Sequence, residues 1–466
     1  MEDIQSKKKL IIQIKKKWLG DKDSGNQETI KSLQEAVTKT TTLLSTELYA
    51  VDFHFIMELI QNADDNDYKK GNVPTLEIRL QEKELIFSCN EKGFTPKDLK
   101  AICNVNTSGK ISDEGERRGY IGEKGIGFKS VFKVSDMPEI YSNGFQFRLF
   151  GEKTNQHDLK YVVPEWIDNP TIDIDTDKTT LVLPLKKIYQ KDGGKENDLS
   201  KELSLIEPNI LLFLRKIEKL IIIDDVNDLT TEILKKVDGD IVTLTIKQKD
   251  KSKALNQKYL LISHKNRLVP EGLKEDKRAG IKYSDITLGF PLTPSKRPKI
   301  LDSNKVYTFL PVKDYGLSFL INADFLLTSA REDIIDNDWN EWLRTEIFEA
   351  FKIAIEQFKN DNNFKYYFLK CLSDPDNISN KFFRELTSDI LDYCKEEAIF
   401  PTTIRNKWSI ASSITSYNKN DIQYIDETIL EQEIKCYFLS KEAYNNYKGR
   451  VCLDFGQKKA EKKRQN

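Results

Sequence analysis

An α+β fold, with helices laid on one face of a sheet, is what this sequence predicts, and three observations predict it. Phe53, Ile56, Met57 and Ile60 recur at helical spacing across 52–66. Two alternating runs, Leu76-Glu-Ile-Arg-Leu80 and Glu84-Leu-Ile-Phe-Ser88, read as a hairpin of strands. The third is Ile121-Gly-Glu-Lys-Gly-Ile-Gly-Phe-Lys-Ser130, where Gly122, Gly125 and Gly127 precede the apolar run Val131-Phe-Lys-Val134. A helix, a hairpin and a glycine-rich turn feeding another helix give one layer of helix over one layer of sheet.

The remaining elements follow in chain order. Residues 4–19 alternate apolar and lysine positions, as in a short amphipathic helix, and Leu33, Val37, Leu43 and Leu44 give 28–50 an apolar helical face. Thr95 can cap a helix whose first turn accepts Pro96. The polar stretch 107–119 has no apolar period and reads as a loop. Residues 122–135 turn into a helix, and strands follow at 145–150 and 180–185. The run Gln190-Lys-Asp-Gly-Gly-Lys-Glu-Asn-Asp198 has linker composition. Beyond it, strands near 219–224, 230–236, 241–247 and 258–263 suggest a second α+β unit. Trp342, Ile347, Phe351, Ile355 and Phe358 mark a mostly helical stretch over 338–400. The expected organisation is a helical segment at 1–50, a first unit at 51–190, a second at 199–335 and a helical or mixed region at 336–466.

Composition narrows the class. The chain has 466 residues, 39% of them hydrophobic, enough for more than one core. A net charge of -1 gives no global basicity toward nucleic acid; only the lysine-rich ends are locally basic. Six cysteines without a C-x-x-C pair fit neither a zinc site nor a disulfide framework, so a reducing compartment is expected. No long apolar run or signal-peptide core stands out, and a soluble, cytoplasmic protein without membrane contact is the expectation.

Chemistry concentrates in two places. Glu58 and Asn62, at i and i+4, project from one helix face. The glycines at 122, 125 and 127 allow a backbone to bring its N–H groups close to a phosphate. An acid to activate water, an amide for a metal and a phosphate cradle together read as a nucleotide site.

Residues 52–136 resemble the nucleotide site of the GHKL superfamily, which includes gyrase, the ninety-kilodalton heat-shock chaperone, histidine kinases and MutL. Ile121–Asp136 resembles the chaperone's glycine motif, and Glu58-Leu-Ile-Gln-Asn-Ala-Asp-Asp65 its metal-binding helix. The wording is also similar to sacsin and plant NO VEIN-type proteins, through Phe53–Asn62, Ser142-Asn-Gly-Phe145, Tyr307-Thr-Phe-Leu-Pro311 and Asp324–Asp333. The resemblance implies a Bergerat-type sandwich, a transducer-like second unit, and ATP with Mg2+ as cofactors. It implies that Glu58 is the general base and that Asn62 offers its amide oxygen to the metal. Asp65 would lend a supporting contact. Gly122, Lys124, Gly125, Ile126, Gly127 and Phe128 would form the phosphate turn, with Ser108 and Lys110 in a lid. Thr179 matches the threonine that supports adenine. Arg331, in Ser329-Ala-Arg-Glu332, matches an arginine supplied to the γ-phosphate.

One segment departs from the pattern. Anchored on Gly93, the stretch Cys89-Asn-Glu-Lys-Gly-Phe-Thr95 puts Cys89 where the superfamily has its adenine-binding aspartate, and Glu91 where it has a glycine. Asn90 and Glu91 are the candidates to replace that aspartate. Losing one buried hydrogen bond costs about 1 kcal/mol, so base selectivity is the property at stake. The expected function is a slow Mg-dependent ATPase that uses domain or dimer closure to act on a partner, in a chaperone-like or defence-associated role. A nucleotide-sensing module with little turnover and a DNA-processing clamp are the alternatives. A homodimer through the N-terminal segment and a protein partner for the C-terminal part are the expected assemblies.

Overall fold

The computed structural model describes residues 2–19, 35, 54–104, 127–151, 159–190, 199–273, 275, 278, 280–299, 301, 304–328, 333–404, 407–415, 437–440 and 442–443. The helix expected over 28–50 lies outside these residues, apart from position 35.

The first helix, α1 (Glu2–Leu19), buries Ile11 and Ile14 and leaves Lys9, Lys16 and Lys17 exposed. Helix α2 (His54–Asp65) buries Phe55, Ile56, Leu59 and Ile60 on its apolar face. Strands β1 (Thr75–Leu80) and β2 (Glu84–Cys89) form the expected antiparallel hairpin, with Leu76 opposite Cys89. Leu76, Ile78, Leu80, Leu85, Phe87 and Cys89 are all buried, as a period of two requires for one covered face. Helix α3 (Pro96–Ile102) opens on a complete capping box, Thr95 with Asp98, and has Pro96 in its first turn.

Next come β3 (Glu139–Ser142), β4 (Phe145–Arg148), β5 (Glu165–Trp166) and β6 (Thr179–Pro184), then the short helices α4 (Leu199–Ser204) and α5 (Ile210–Phe213). The second half supplies β7 (Lys219–Asp224), β8 (Leu229–Asp238), β9 (Ile241–Gln248), β10 (Leu255–Leu268) and β11 (Tyr283–Leu292). It adds β12 (Lys305–Thr308), β13 (Leu310–Asp314) and β14 (Leu320–Asn322). All fourteen strands join one sheet, in the order β13-β12-β14-β11-β10-β9-β8-β7-β1-β2-β6-β3-β4-β5.

The fold is therefore mixed α+β, and the sheet is mixed too. β1 runs parallel to β7, and β12 parallel to β14. The junction expected at 190–198 does not interrupt the sheet, because β7 seats beside β1 with Leu220 opposite Leu76. The run Leu220-Ile-Ile-Ile223 suits a strand with neighbours on both sides, and β8 is its other neighbour. What divides the molecule is its packing. One core gathers apolar side chains of α1, α2 and β1 through β9 together with Tyr259, Tyr307, Leu310 and Leu320 from the later strands; the other gathers the remaining buried apolar side chains of β10 onward with α6 (Asp338–Asn360) and α7 (Lys381–Glu396).

The helix expected over 122–135 is, within the described residues, a 3-10 helix at Gly127–Lys133. Its tighter winding suits a short connector rather than a core helix. No helix among the described residues is long and apolar enough to cross a membrane.

Candidate functional site

Helix α2 presents the two residues singled out for chemistry. Glu58 is buried, with 8% of its surface exposed, and Asn62 one turn later is half-buried. Between them Gln61 is buried, and neither atom of its amide has a hydrogen-bond partner among the described residues. An unmet buried amide is costly, so Gln61 adds unsatisfied polar atoms to this helix.

The far end of α2 is fastened from two directions. Asp64 is buried, and its carboxylate accepts three backbone N–H bonds: from Arg215 at 2.7 Å, Lys216 at 2.8 Å and Ile217 at 2.9 Å. The Lys216 ammonium returns to the same end, donating to the Asn66 carbonyl at 2.7 Å and to Asp67 Oδ1 at 3.0 Å. Tyr68 donates its hydroxyl to the Ala63 carbonyl at 2.7 Å and touches Cys89 Sγ at 2.9 Å. That phenol ties the end of α2 to the end of β2. Burial raises the Tyr68 pKa, and the Cys89 thiol acts in the same direction. Burial likewise pushes the Cys89 thiol up to about 12, so the group at the aspartate position is a neutral thiol.

Asn90 faces elsewhere. Its side-chain oxygen accepts from the Thr75 N–H at 2.8 Å and its amide nitrogen donates to the Val73 carbonyl at 2.9 Å. Both ends of the amide are thus engaged in clipping the start of β1. Glu91 is buried and bridges to Tyr68 through the backbone, which leaves it on the Cys89 side of the turn. Gly93 has φ +88°, and a Cβ there would lie 2.7 Å from the Cβ of Asn143, so this turn needs glycine.

Thr179 sits opposite Cys89 in the β2–β6 register. Its hydroxyl is hydrogen-bonded to that of Ser142, which also accepts from the Phe94 N–H at 2.8 Å. Cys89, Gly93 and Thr179 are thereby drawn together at one end of the sheet. Helix α2 packs on the 3-10 helix that begins at Gly127, and Phe128 packs against the first core. Asp65, partly buried at the end of α2, offers its backbone carbonyl to Lys216 Nζ at 3.4 Å. Ser108, Lys110, Gly122, Lys124, Gly125, Ile126 and Arg331 lie outside the described residues.

Lys129 is a residue that sequence reasoning passed over. Its side chain is buried, and its ammonium donates to the carbonyls of Ile102 and Tyr161. Burial lowers its pKa to about 8, against a smaller opposing effect of Cys103. From α1, the Trp18 indole donates to the next carbonyl, that of Cys103, at 3.1 Å. Asp64 and Tyr68 were also passed over, Asp64 because its partners are distant backbone atoms and Tyr68 because one of its partners is the thiol of Cys89, on β2. For Ser142 a signal existed, since it opens the quoted Ser142-Asn-Gly-Phe145.

These residues fit a Mg-nucleotide. Asn62 offers a neutral oxygen donor beside a buried carboxylate, and the Gln61 amide brings further unmet polar atoms to the same helix. Among the described residues no three His, Cys, Asp or Glu side chains gather as a metal cage. Mg2+ held by phosphate oxygens and water needs few protein ligands, so one amide is a sufficient donor set.

Comparison with known proteins gives a consistent result. Residues 38–191 match the profile of the family described as Sacsin domain. Protein NO VEIN of Arabidopsis thaliana is 33% identical over 358 residues, covering 72% of this chain and 12% of that protein. Endoplasmin homologs of Leishmania donovani and Leishmania infantum are each 28% identical over 142 residues, or 24% of this chain and 18% of theirs. The chain therefore spans only a small part of the length of the curated relatives it matches.

Proposed function

We propose that this chain, which is a sacsin/NO VEIN-type protein of GHKL-like kind, binds ATP with Mg2+ and hydrolyses it slowly. One observation carries the reading: the buried Glu58 and the adjacent Asn62 lie on a helix joined by Tyr68 to Cys89 and packed on the turn that starts at Gly127. Glu58 would orient water and take its proton. Asn62 would hold the metal, and Gly122, Gly125 and Gly127 the phosphates, with Lys124 adding positive charge. Mg2+ supplies charge neutralisation on the phosphates. Thr179, through its hydroxyl link to Ser142, would hold the adenine end, and Arg331 would reach the γ-phosphate.

With Asn90 engaged at β1, Glu91 is the acid left to replace the missing aspartate. A titration comparing ATP with GTP tests this: Glu91→Gln should narrow the preference for ATP, and an unchanged ratio removes Glu91 from base recognition. Purified protein should hydrolyse ATP, and Glu58→Ala should lower turnover about a hundredfold or more while nucleotide still binds. Undiminished turnover in that variant would remove Glu58 as the base.

The neutral Cys89 favours a second reading, a nucleotide-sensing module with little turnover. Binding without turnover in the wild type would select it. A chaperone-like action on a protein partner, with closure of domains or of a dimer, is the role proposed for such an ATPase.

A further inference from the structure

We propose that Arg215 is a positioning residue, which couples the nucleotide helix α2 to the β12–β13 corner through its own backbone and side chain. The two ends of this one residue meet different halves of the molecule. Its backbone N–H donates to Asp64 at 2.7 Å, at the end of α2. Its guanidinium lies over the ring of Phe309, 4.5 Å from the centroid.

Phe309 is not a passive neighbour. It sits at φ +64°, an unusual conformation for an aromatic residue, at the tight corner between β12 and β13. That corner is pinned by the Phe309 N–H, which donates to Asn322 Oδ1 at 2.7 Å on β14. Arg278 donates to the partly buried Asp324 carboxylate at 2.8 Å, and Arg215 is the second cation acting on it. Burial raises the Asp324 pKa, and these two cations oppose that rise.

On the other side, Asp64 is fixed by three N–H donors from consecutive residues, so a shift of the 215–217 backbone carries Asp64 with it. Glu58 lies six residues earlier on the same helix. That is about 9 Å along a rigid rod, and the carboxylate must move with the helix end. Replacing the Arg215 side chain leaves its backbone N–H in place, so the two contacts can be separated by mutation.

The kinetic consequence rests on the proposed ATPase; the mechanical coupling does not. The test uses the full chain as wild type, Arg215→Ala, Arg215→Lys and Asp64→Asn. It measures Mg·ATP affinity, steady-state turnover, and amide hydrogen exchange over 54–66 and 304–328. Arg215→Ala should slow turnover by about tenfold to a hundredfold, the range expected for a misplaced catalytic group, with ATP affinity nearly unchanged. Arg215→Lys, which keeps a cation over the ring, should recover most of that loss. Exchange should cross the junction, faster over 54–66 in Arg215→Ala and faster over 304–328 in Asp64→Asn. The proposal is overturned if each variant loosens only its own side. It is equally overturned if lysine is as impaired as alanine, or if affinity falls in step with turnover. Should the wild type neither bind nor hydrolyse ATP, the ATPase reading fails by itself, and the exchange data alone decide the coupling.

Discussion

Around α2 the sheet is covered by a core that contains Glu58, Gln61, Asp64, Glu91 and Lys129, all buried. Beyond β10 the covering is different. Phe290 is surrounded by Phe319, Phe351 and Phe358 at centroid distances of 5.6, 6.1 and 5.0 Å, and Phe358 stacks on Phe364 at 4.6 Å. Charge at the edge of that second core is paired, Arg267 with Glu346 and Arg278 with Asp324. Polar burial costs stability unless it is matched, whereas aromatic packing supplies it. The first half thus buries Gln61 with its amide unmet beside a carboxylate, Glu58, whereas the second half is packed around an aromatic cluster.

The largest effect that would sharpen this contrast lies in the aromatic cluster. Phe358 is fully buried and touches Phe290, Phe364 and Phe368. Phe358→Ala should cost about 3–5 kcal/mol, as truncation of a core aromatic does. Denaturant unfolding measures the loss, and nucleotide titration under native conditions should show that binding persists. A loss of binding at full folding would mean that the two cores are not separable.

Gly93 offers the complementary break in the first half. Its φ of +88° and the 2.7 Å approach of Asn143 leave no room for a methyl group. Gly93→Ala should cost about 1–3 kcal/mol through strain, and should weaken ATP binding because the turn next to Cys89 must shift. Stability lost with affinity intact would show that this turn shapes the sheet and not the site.

Legibility in the sequence followed the range of the interactions. The β1–β2 hairpin, the Thr95–Pro96 helix start and the strand at Lys219–Asp224 were all readable, because alternation and capping are local. The parallel seating of β7 on β1 was not, since both strands carry the same apolar pattern whichever neighbour they take. In the site, the one-turn spacing of Glu58 and Asn62 was visible directly. The partners of Asn90 were hidden for the opposite reason: an amide two residues before Lys92 looks available until Thr75 and Val73 are brought beside it. Asp64 stood in plain sight beside Asp65, but three backbone donors from 215–217 leave no mark on composition or periodicity.

Lys129 gives the smallest and most specific test, because burial moves its titration into an accessible pH range. Its folded pKa is lowered from 10.5 to about 8 by burial. Below pH 8 the amine is charged both folded and unfolded, so the cost of burying the charge is fully present. Between about 8 and 10.5 the folded molecule gives up the proton while the unfolded chain keeps it. The unfolded state then binds more protons, and stability must rise with pH across that window. Lys129→Met removes the titration. The wild type should therefore gain about 1 kcal/mol relative to this variant between pH 8 and pH 9, read from denaturant unfolding at each pH. A difference that stays flat would show that the bonds to the Ile102 and Tyr161 carbonyls hold the proton despite burial. The first core would then resemble the second, with its buried charge fully matched.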